Sequence, residues 1–403
     1  MIISLALCAA APRKRVATRL LLAVLSIMTF AGLAGCQGAT QDVLDLESPQ
    51  AREARRAAAH PAVPQETLGN GPTRVGLITA IMAPGGPSRR ERDIRDGAAL
   101  AVHELASTDL SLLVENTDGS QEQMRDAAKL LGEQGVKLVA VSVANEPVGL
   151  VRDALGTHHV PLLILRADAS GSSPDTFYFT SDRVDSAVEG ASYAVASGRA
   201  HLIVLTPSDL TARERQRLDR GLSSYNIKPV LVETSTATFA GEGASAAKIN
   251  DIDAVLLIGA TDGDVGGLSR LRANGYLKPN AAVIGSSNWA SAGYKRPELA
   301  GSKLCLFGPE GGSRMTKAYL QRYERTAGED AAYGFDIIAL TAGLVRAHGP
   351  DGITVKNIRS PSGFLGAAAA FRFEADGSVR RTCSIYDVQS GGLKLIDPAP
   401  RSF

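Results

Sequence analysis

Of the four cysteines in this 403-residue chain, Cys36 is the one whose neighbours specify a chemistry. In FAGLAGCQG, Phe30 to Gly38, it follows Leu33-Ala34-Gly35 at the end of an apolar run. Small side chains beside a scissile bond admit a peptidase, and a thiol is the only side chain that forms a diacylglyceryl thioether there. The chemistry expected at Cys36 is therefore lipidation. Other chemistries find no constellation. The six histidines are scattered, adjacent His158 and His159 cannot both face one ligand on a helix, and no carboxylate pair or CxxC has metal-ligand spacing. No GxSxG elbow or Ser-His-Asp order supports a hydrolase. The turn APGGPSRRERD is neither GxGxxG nor a Walker-type loop, so it makes a turn and at most offers amides to a small anion. No catalytic residue, metal or cofactor is expected.

The segment that positions Cys36 carries Arg13, Lys14, Arg15 and Arg19 ahead of an apolar run, Leu20 to Leu33, too short to span a bilayer comfortably. Leu-Ala-Gly-Cys resembles a bacterial lipobox, which makes 1–36 a lipoprotein signal and holds the mature chain by its lipid, facing the periplasm. Gln37, where aspartate tends to retain such proteins at the inner membrane, favours the outer membrane. Residues 37–72, rich in Ala, Gln, Glu, Arg and Pro, read as a flexible tether with no strand pattern and a short helix across Gln50 to Ala59. A formal net charge of +1 removes the electrostatic argument for nucleic acid. Cys305 and Cys383 sit in strand-like stretches, KLCLF and TCSIY; in an oxidising compartment they could pair, and two buried free thiols fit the pattern as well.

From Thr73 onward strands and helices alternate. RVGLITAI, LSLLVEN, KLVAVSV and PLLILRA are strands separated by amphipathic helices, from Arg89 to about Leu105, Gln121 to Gln134 and Pro147 to Gly156. A second set runs from a helix at Arg183 to Ser197 through strands HLIVLT, KPVLVE, DAVLLIG and AAVIGS, with helices at Ala212 to Ser223, Ala244 to Asn250 and Val265 to Asn274. Continuous Val, Leu and Ile runs signify strands covered on both faces. The fold class expected is α/β, two doubly wound parallel-sheet lobes with an interlobe cleft beyond the carboxyl ends of the strands.

The succession RVGLITAIMAPGG, DGAALAVHEL, VENTDGSQEQMRDAAKLLGEQGVKLVAV and HVPLLILRADAS is similar to the leucine/isoleucine/valine-binding protein family, a type 1 periplasmic-binding fold. That resemblance implies three lobe crossings, lobe 1 at about 73–182 and 309–360, and lobe 2 at about 183–308 and 361–403. The hairpin around Asp376-Gly377 would then close lobe 2. Laid on the family's pattern, the cleft is lined by Asn145, Glu146, Arg166, Ala167 and Asp168 from lobe 1, and by Ala260, Thr261, Ser286, Ser287 and Trp289 from lobe 2. Glu146 would face a ligand carboxylate and Pro147 removes an amide donor. Arg166 could fork a carboxylate, with Asp168 placed to neutralise it. An aromatic wall falls on Ala260, and the glutamate that takes an ammonium falls near Ser287. A buried zwitterion without partners is costly, so branched-chain amino-acid binding is disfavoured. Trp289 suits hydrophobic packing better than ligand stacking.

Three features, IGSSNWAS, GFLGAAAAFRFEADGSVRR and the ending IDPAPRSF, resemble the penicillin-binding-protein activators of this fold. That branch implies a non-catalytic lipoprotein whose partner is a peptidoglycan synthase. The alternative is the substrate-binding lipoprotein of an ABC importer, with a permease and a small amino-acid-like ligand as partners. An amide-sensing regulator is a third class.

Overall fold

The computed structural model describes residues 63–403 except 87, 144–147, 157–158, 168–172, 237–250, 290–292 and 391. The lipobox, the helix at 50–59 and the one expected at 244–250 lie outside the described residues. The elements are β1 Gln65–Leu68, β2 Thr73–Thr79, α1 Arg89–Ala101, β3 Leu110–Asn116, α2 Gln121–Glu133, β4 Val139–Val141, α3 Val148–Leu155, β5 Leu162–Ile164 and β6 Thr176–Tyr178. Then follow α4 Arg183–Ala196, β7 Leu202–Thr206, α5 Ala212–Ser224, β8 Leu231–Thr234, β9 Ile252–Leu257, α6 Asp262–Ala273, β10 Leu277–Gly285 and β11 Lys303–Leu306. The rest are α7 Arg314–Tyr323, α8 Glu329–His348, α9 Val355–Ile358, β12 Phe364–Leu365, β13 Ala370–Phe373, β14 Val379–Arg381, β15 Ser384–Gln389 and β16 Gly392–Asp397.

Two large sheets result, ordered β1-β3-β2-β4-β5-β6 and β16-β15-β11-β10-β9-β7-β8. Within each, five consecutive strands are parallel and share one winding: the chain starts in β2 or β7, steps to one side, then returns past its start. The strand order therefore reverses between β2 and β4 in lobe 1 and between β7 and β9 in lobe 2. β3 is buried along its length and β9 likewise, as expected for strands covered on both faces.

Two boundaries differ from the sequence reading. Gln65–Leu68, expected in the tether, pairs antiparallel with β3 as an edge strand. Its polar QETL sequence shows no strand pattern because an edge needs little apolar surface, and Glu66 is held instead by Arg95 of α1. The hairpin β13–β14, expected to close lobe 2, joins β12 in a separate three-stranded sheet. Its inward side chains Phe371, Phe373 and Val379 belong to the lobe 1 core, with Phe177 and Phe373 ring centroids 4.8 Å apart. Only β15 and β16 extend lobe 2, β15 antiparallel to β11 and β16 antiparallel to β15.

The chain crosses between the sheets three times, after β6, after β11 and after β14. Arg381, at the third crossing, is wholly buried and bonds Asp336 of α8 at 3.1 Å and the carbonyl of Phe179, at the first crossing, at 3.2 Å. Its guanidinium lies 4.7–5.2 Å from the rings of Phe371, Tyr333 and Phe179. Cys305 of β11 and Cys383 form a disulfide with Cα atoms 5.4 Å apart, which settles the two readings the sequence left open. The outward face of the small sheet meets lobe 2: Arg380 pairs with Glu189 of α4 at 3.4 Å and stacks over Tyr225 at 4.2 Å.

Within lobe 1, α1 and α8 approach so closely that a Cβ on Gly97 would sit 1.9 Å from the Ala331 carbonyl oxygen, and one on Gly334 1.9 Å from that of Ile94. The ending is also part of the packing. Ala399 donates to Ser384 Oγ at 3.0 Å, Thr382 Oγ1 donates to the Pro400 carbonyl at 2.8 Å, and the Phe403 ring lies 4.7 Å from the Arg372 guanidinium. From the edge of lobe 2, Asp397 to Phe403 thus run over the third crossing to the small sheet of lobe 1.

Candidate ligand cleft at the strand reversals

Where strand order reverses, neighbouring loops leave in opposite directions and open a crevice beyond the carboxyl ends of the strands. In lobe 1 the groups facing that crevice come from the ends of β2, β4 and β5. Among the described residues, the Ala80 amide, the Ser142 hydroxyl and carbonyl and the Leu165 carbonyl are taken by two neighbours in the first turn of α1. Ser88 caps this helix, its Oγ accepting from the Glu91 amide at 3.1 Å. Glu91, nearly buried, takes the Ala80 amide at 3.3 Å and the hydroxyl of Ser142, so these two donors are spent on a carboxylate of the chain itself. Arg90 forks the acceptors: Nη1 donates to the Ser142 carbonyl at 2.5 Å and Nη2 to the Leu165 carbonyl at 2.6 Å. The same guanidinium touches Glu91 at 2.8 Å and Asp330, at the start of α8, at 3.6 Å.

Lobe 2 repeats this self-sufficiency. Ser286 Oγ donates to the Ile258 carbonyl at 2.7 Å, and Trp289 Nε1 donates to the Leu257 carbonyl at 3.1 Å, so the carbonyls ending β9 are closed. Thr261 caps α6 in a reciprocal box with Asp264, whose carboxylate also receives the Ser235 hydroxyl. The Ser287 amide donates to Ser186 Oγ at 2.9 Å.

Of the residues the sequence placed in the cleft, Ala260, Thr261, Ser286 and Ser287 do stand together at the carboxyl ends of β9 and β10. Trp289 is not available to a ligand: it is 2% exposed and packs in the lobe 2 core with Leu299 and Leu304. Ser286 is likewise buried. Arg166 and Ala167 are half-buried after β5, the Arg166 guanidinium 5.8 Å from the Tyr178 ring. Asn145, Glu146 and Asp168 lie outside the described residues. Sequence reading missed Arg90, Glu91, Ser142 and Asp330. A signal existed for one of them, since Ser88-Arg-Arg-Glu91 has capping-box spacing, but a box would turn Glu91 back to the Ser88 amide.

At the inner edge, Glu329 and Asp330 open α8. Burial pushes Glu329 up to about 7, against the lowering effect of its bond from the Tyr333 hydroxyl, and burial raises Asp330 against the pull of Arg90. Tyr333 Oη in turn accepts the Ser181 amide at 3.2 Å, tying the first crossing to α8. Among the described residues no group of three or more His, Cys, Asp or Glu could hold a metal ion.

Two lobes of one winding, three crossings and a cleft at paired strand reversals describe a family architecture, and the family model for periplasmic binding proteins matches residues 72–393. The chain belongs to the periplasmic binding protein family. Among solved structures, this periplasmic binding protein is similar to a protein from Rhodospirillum rubrum assigned provisionally to a branched-chain amino acid ABC transporter, with TM-score 0.62, 15% identity, and 80% and 99% of the two chains covered. It is similar to the C-domain of LpoA (YraM) from Haemophilus influenzae, a regulator of PBP1A, with TM-score 0.58, 15% identity, and 80% and 100% covered. An ABC transporter substrate-binding protein from Desulfitobacterium hafniense, complexed with leucine, has TM-score 0.52, 14% identity, and 80% and 99% covered. At these identities the likeness is one of fold. Comparison of the sequence with curated proteins gives no significant match.

Proposed function

We propose that this periplasmic binding protein is a non-catalytic, lipid-anchored regulator that acts by contact with a peptidoglycan synthase, a penicillin-binding protein, rather than as the receptor of an importer. The observation that carries this reading is the Arg90–Glu91 pair. A receptor for a zwitterion needs free donors for a carboxylate at the lobe 1 strand ends, whereas here a carboxylate and a guanidinium of the chain already fill that role. A ligand would have to displace both and leave a nearly buried Glu91 unpaired, a cost of several kcal/mol. The Arg380 contacts to α4 and the Tyr225 ring are compatible with the same reading, since the chain's own side chains join the lobes beside the crossings.

The choice of synthase as partner rests on the sequence likeness of IGSSNWAS, GFLGAAAAFRFEADGSVRR and IDPAPRSF to the activator branch and on the lipidation signal. A fold shared with a PBP1A regulator is compatible with it. Titration calorimetry of leucine, isoleucine and valine into residues 63–403 is expected to show no heat of binding, while the same protein stimulates glycan polymerisation or crosslinking by a cognate synthase. Micromolar binding of any of the three would promote the receptor of an ABC importer, with a permease as partner. Absence of stimulation across all synthases of the source cell would remove the regulator.

The anchor is tested separately. Cys36→Ala is expected to abolish acylation and move the protein from the membrane to the soluble fraction or leave an unlipidated precursor, because two or three acyl chains hold a protein far better than one short h-region. Membrane retention of the lipidated species in the outer-membrane fraction of the wild type, resolved by density, checks the outer-membrane placement.

A further inference from the structure

Outside the cleft, the structure holds a cavity of about 660 Å³ behind the second and third crossings. This is the size of a site for one small molecule. Its walls are helix faces of lobe 1, with Leu100 from α1, Met315 from α7, and Phe335 and Ala339 from α8; the opposite wall is the ending, Pro398 to Arg401. The wall is mainly apolar, with Glu104, Glu310, Arg314 and Arg401 as its charged members. There Glu104 and Arg314 satisfy each other at 2.9 Å. Glu310 and Arg401, both exposed and both on the lining, have no side-chain hydrogen bond or ion pair among the described residues. Leu365, also on the lining, is a large apolar side chain left 51% exposed. Ala369 on the wall has φ of 147°, a conformation that residues with a Cβ rarely adopt.

A mainly apolar, half-open trough whose lining holds one cation and one anion without a side-chain partner among the described residues suits a single alkyl chain carrying a zwitterionic head. We propose that this cavity binds a single-chain zwitterionic amphiphile, the chain lying between α7, α8 and the ending, the head bridging Arg401 and Glu310. The site depends on neither the cleft nor the synthase reading. Met315 suits it, being unbranched and adaptable to chains of different length.

The probes are alkylphosphocholines of eight, ten and twelve carbons, titrated below their micelle concentrations into the whole chain from Gln37. The expected result is a dissociation constant that tightens about fourfold for each added methylene, and dodecyltrimethylammonium and dodecanoate each binding at least about tenfold more weakly than the zwitterion of equal chain length. Ala339→Phe should weaken dodecylphosphocholine about tenfold or more by filling the trough. Should that variant fail to fold, Leu365→Asp, at an exposed lining position, gives the same loss with the fold retained. Affinity independent of chain length, or unchanged in both variants, overturns the proposal. Equal affinity for the cation, the anion and the zwitterion overturns the assignment of the head.

Discussion

Arg381→Met should lower the stability of the protein by about 3–5 kcal/mol at pH 8, measured by urea unfolding. The side chain is fully buried, as is that of its partner Asp336, and it joins α8, the first crossing and the small sheet at one point. Methionine fills much of the volume among the three rings but carries no charge, so the loss is mainly that of leaving a buried carboxylate without its cation. Asp336 keeps the Ala367 and Ala368 amides as donors, which limits the loss but does not replace a charge. The pH dependence identifies the cause. Burial pushes Asp336 up to about 6 from an ordinary 3.8, although Arg381 pulls the other way. A folded state that holds this proton more tightly than the unfolded chain loses stability as pH rises from about 3.8 to about 6, and the loss is complete above it. Without Arg381 the carboxyl rises further, so the variant is expected to lose less at pH 5, where Asp336 can stay neutral, than at pH 8. An equal loss at the two pH values would show that packing, not charge, is what Arg381 supplies.

The second large effect is expected from one methyl group. Gly97→Ala or Gly334→Ala should each cost more than about 4 kcal/mol, in the range where single substitutions unfold marginal proteins. Both added Cβ atoms would lie 1.9 Å from a backbone oxygen of the facing helix, and a backbone cannot step aside as a flexible side chain can. Each glycine answers the other, Gly97 under Ala331 and Gly334 under Ile94, so parting the helices to relieve one contact also opens the other. Gly343→Ala is the internal control. It lies in the same α8, exposed, with open space around its Cβ position, and there the substitution should stabilise by about 0.5–1 kcal/mol through helix propensity alone. Thermal unfolding of the three variants side by side checks the sign of each.

The lobes and most strands were legible because continuous apolar runs such as LSLLVEN and DAVLLIG leave little choice once both faces are covered. The family was legible for the same reason, its order of elements being written in the spacing of those runs. What could not be read is pairing at a distance. The alternation in AFRFEADGSVRR shows that β13 and β14 have two faces, but nothing local says that Phe371 and Phe373 turn to lobe 1 while Arg380 turns to Glu189 of lobe 2. QETL carries no apolar signal, and its strand exists because the edge of β3 was open to it. Ser88-Arg-Arg-Glu91 shows the limit within the site. The spacing is that of a local cap, yet Glu91 finds the Ser142 hydroxyl and the Ala80 amide, partners contributed by two other strands, and the cleft changes character with that choice. The ending IDPAPRSF stood out by its composition; Thr382, Ser384 and Arg372 supply contacts for it that composition does not announce.

The disulfide has a topological consequence. Cys305 closes lobe 2's part of the chain before it leaves for lobe 1, and Cys383 takes it up on its return, 78 residues later. Everything between, α7, α8, α9 and the small sheet, is therefore a covalent ring rather than an excursion with two loose ends. A peptide bond cut by an envelope protease within that ring is a nick and not a separation, since both pieces stay joined through sulfur, and the third crossing remains anchored to the second after the backbone between them has been broken.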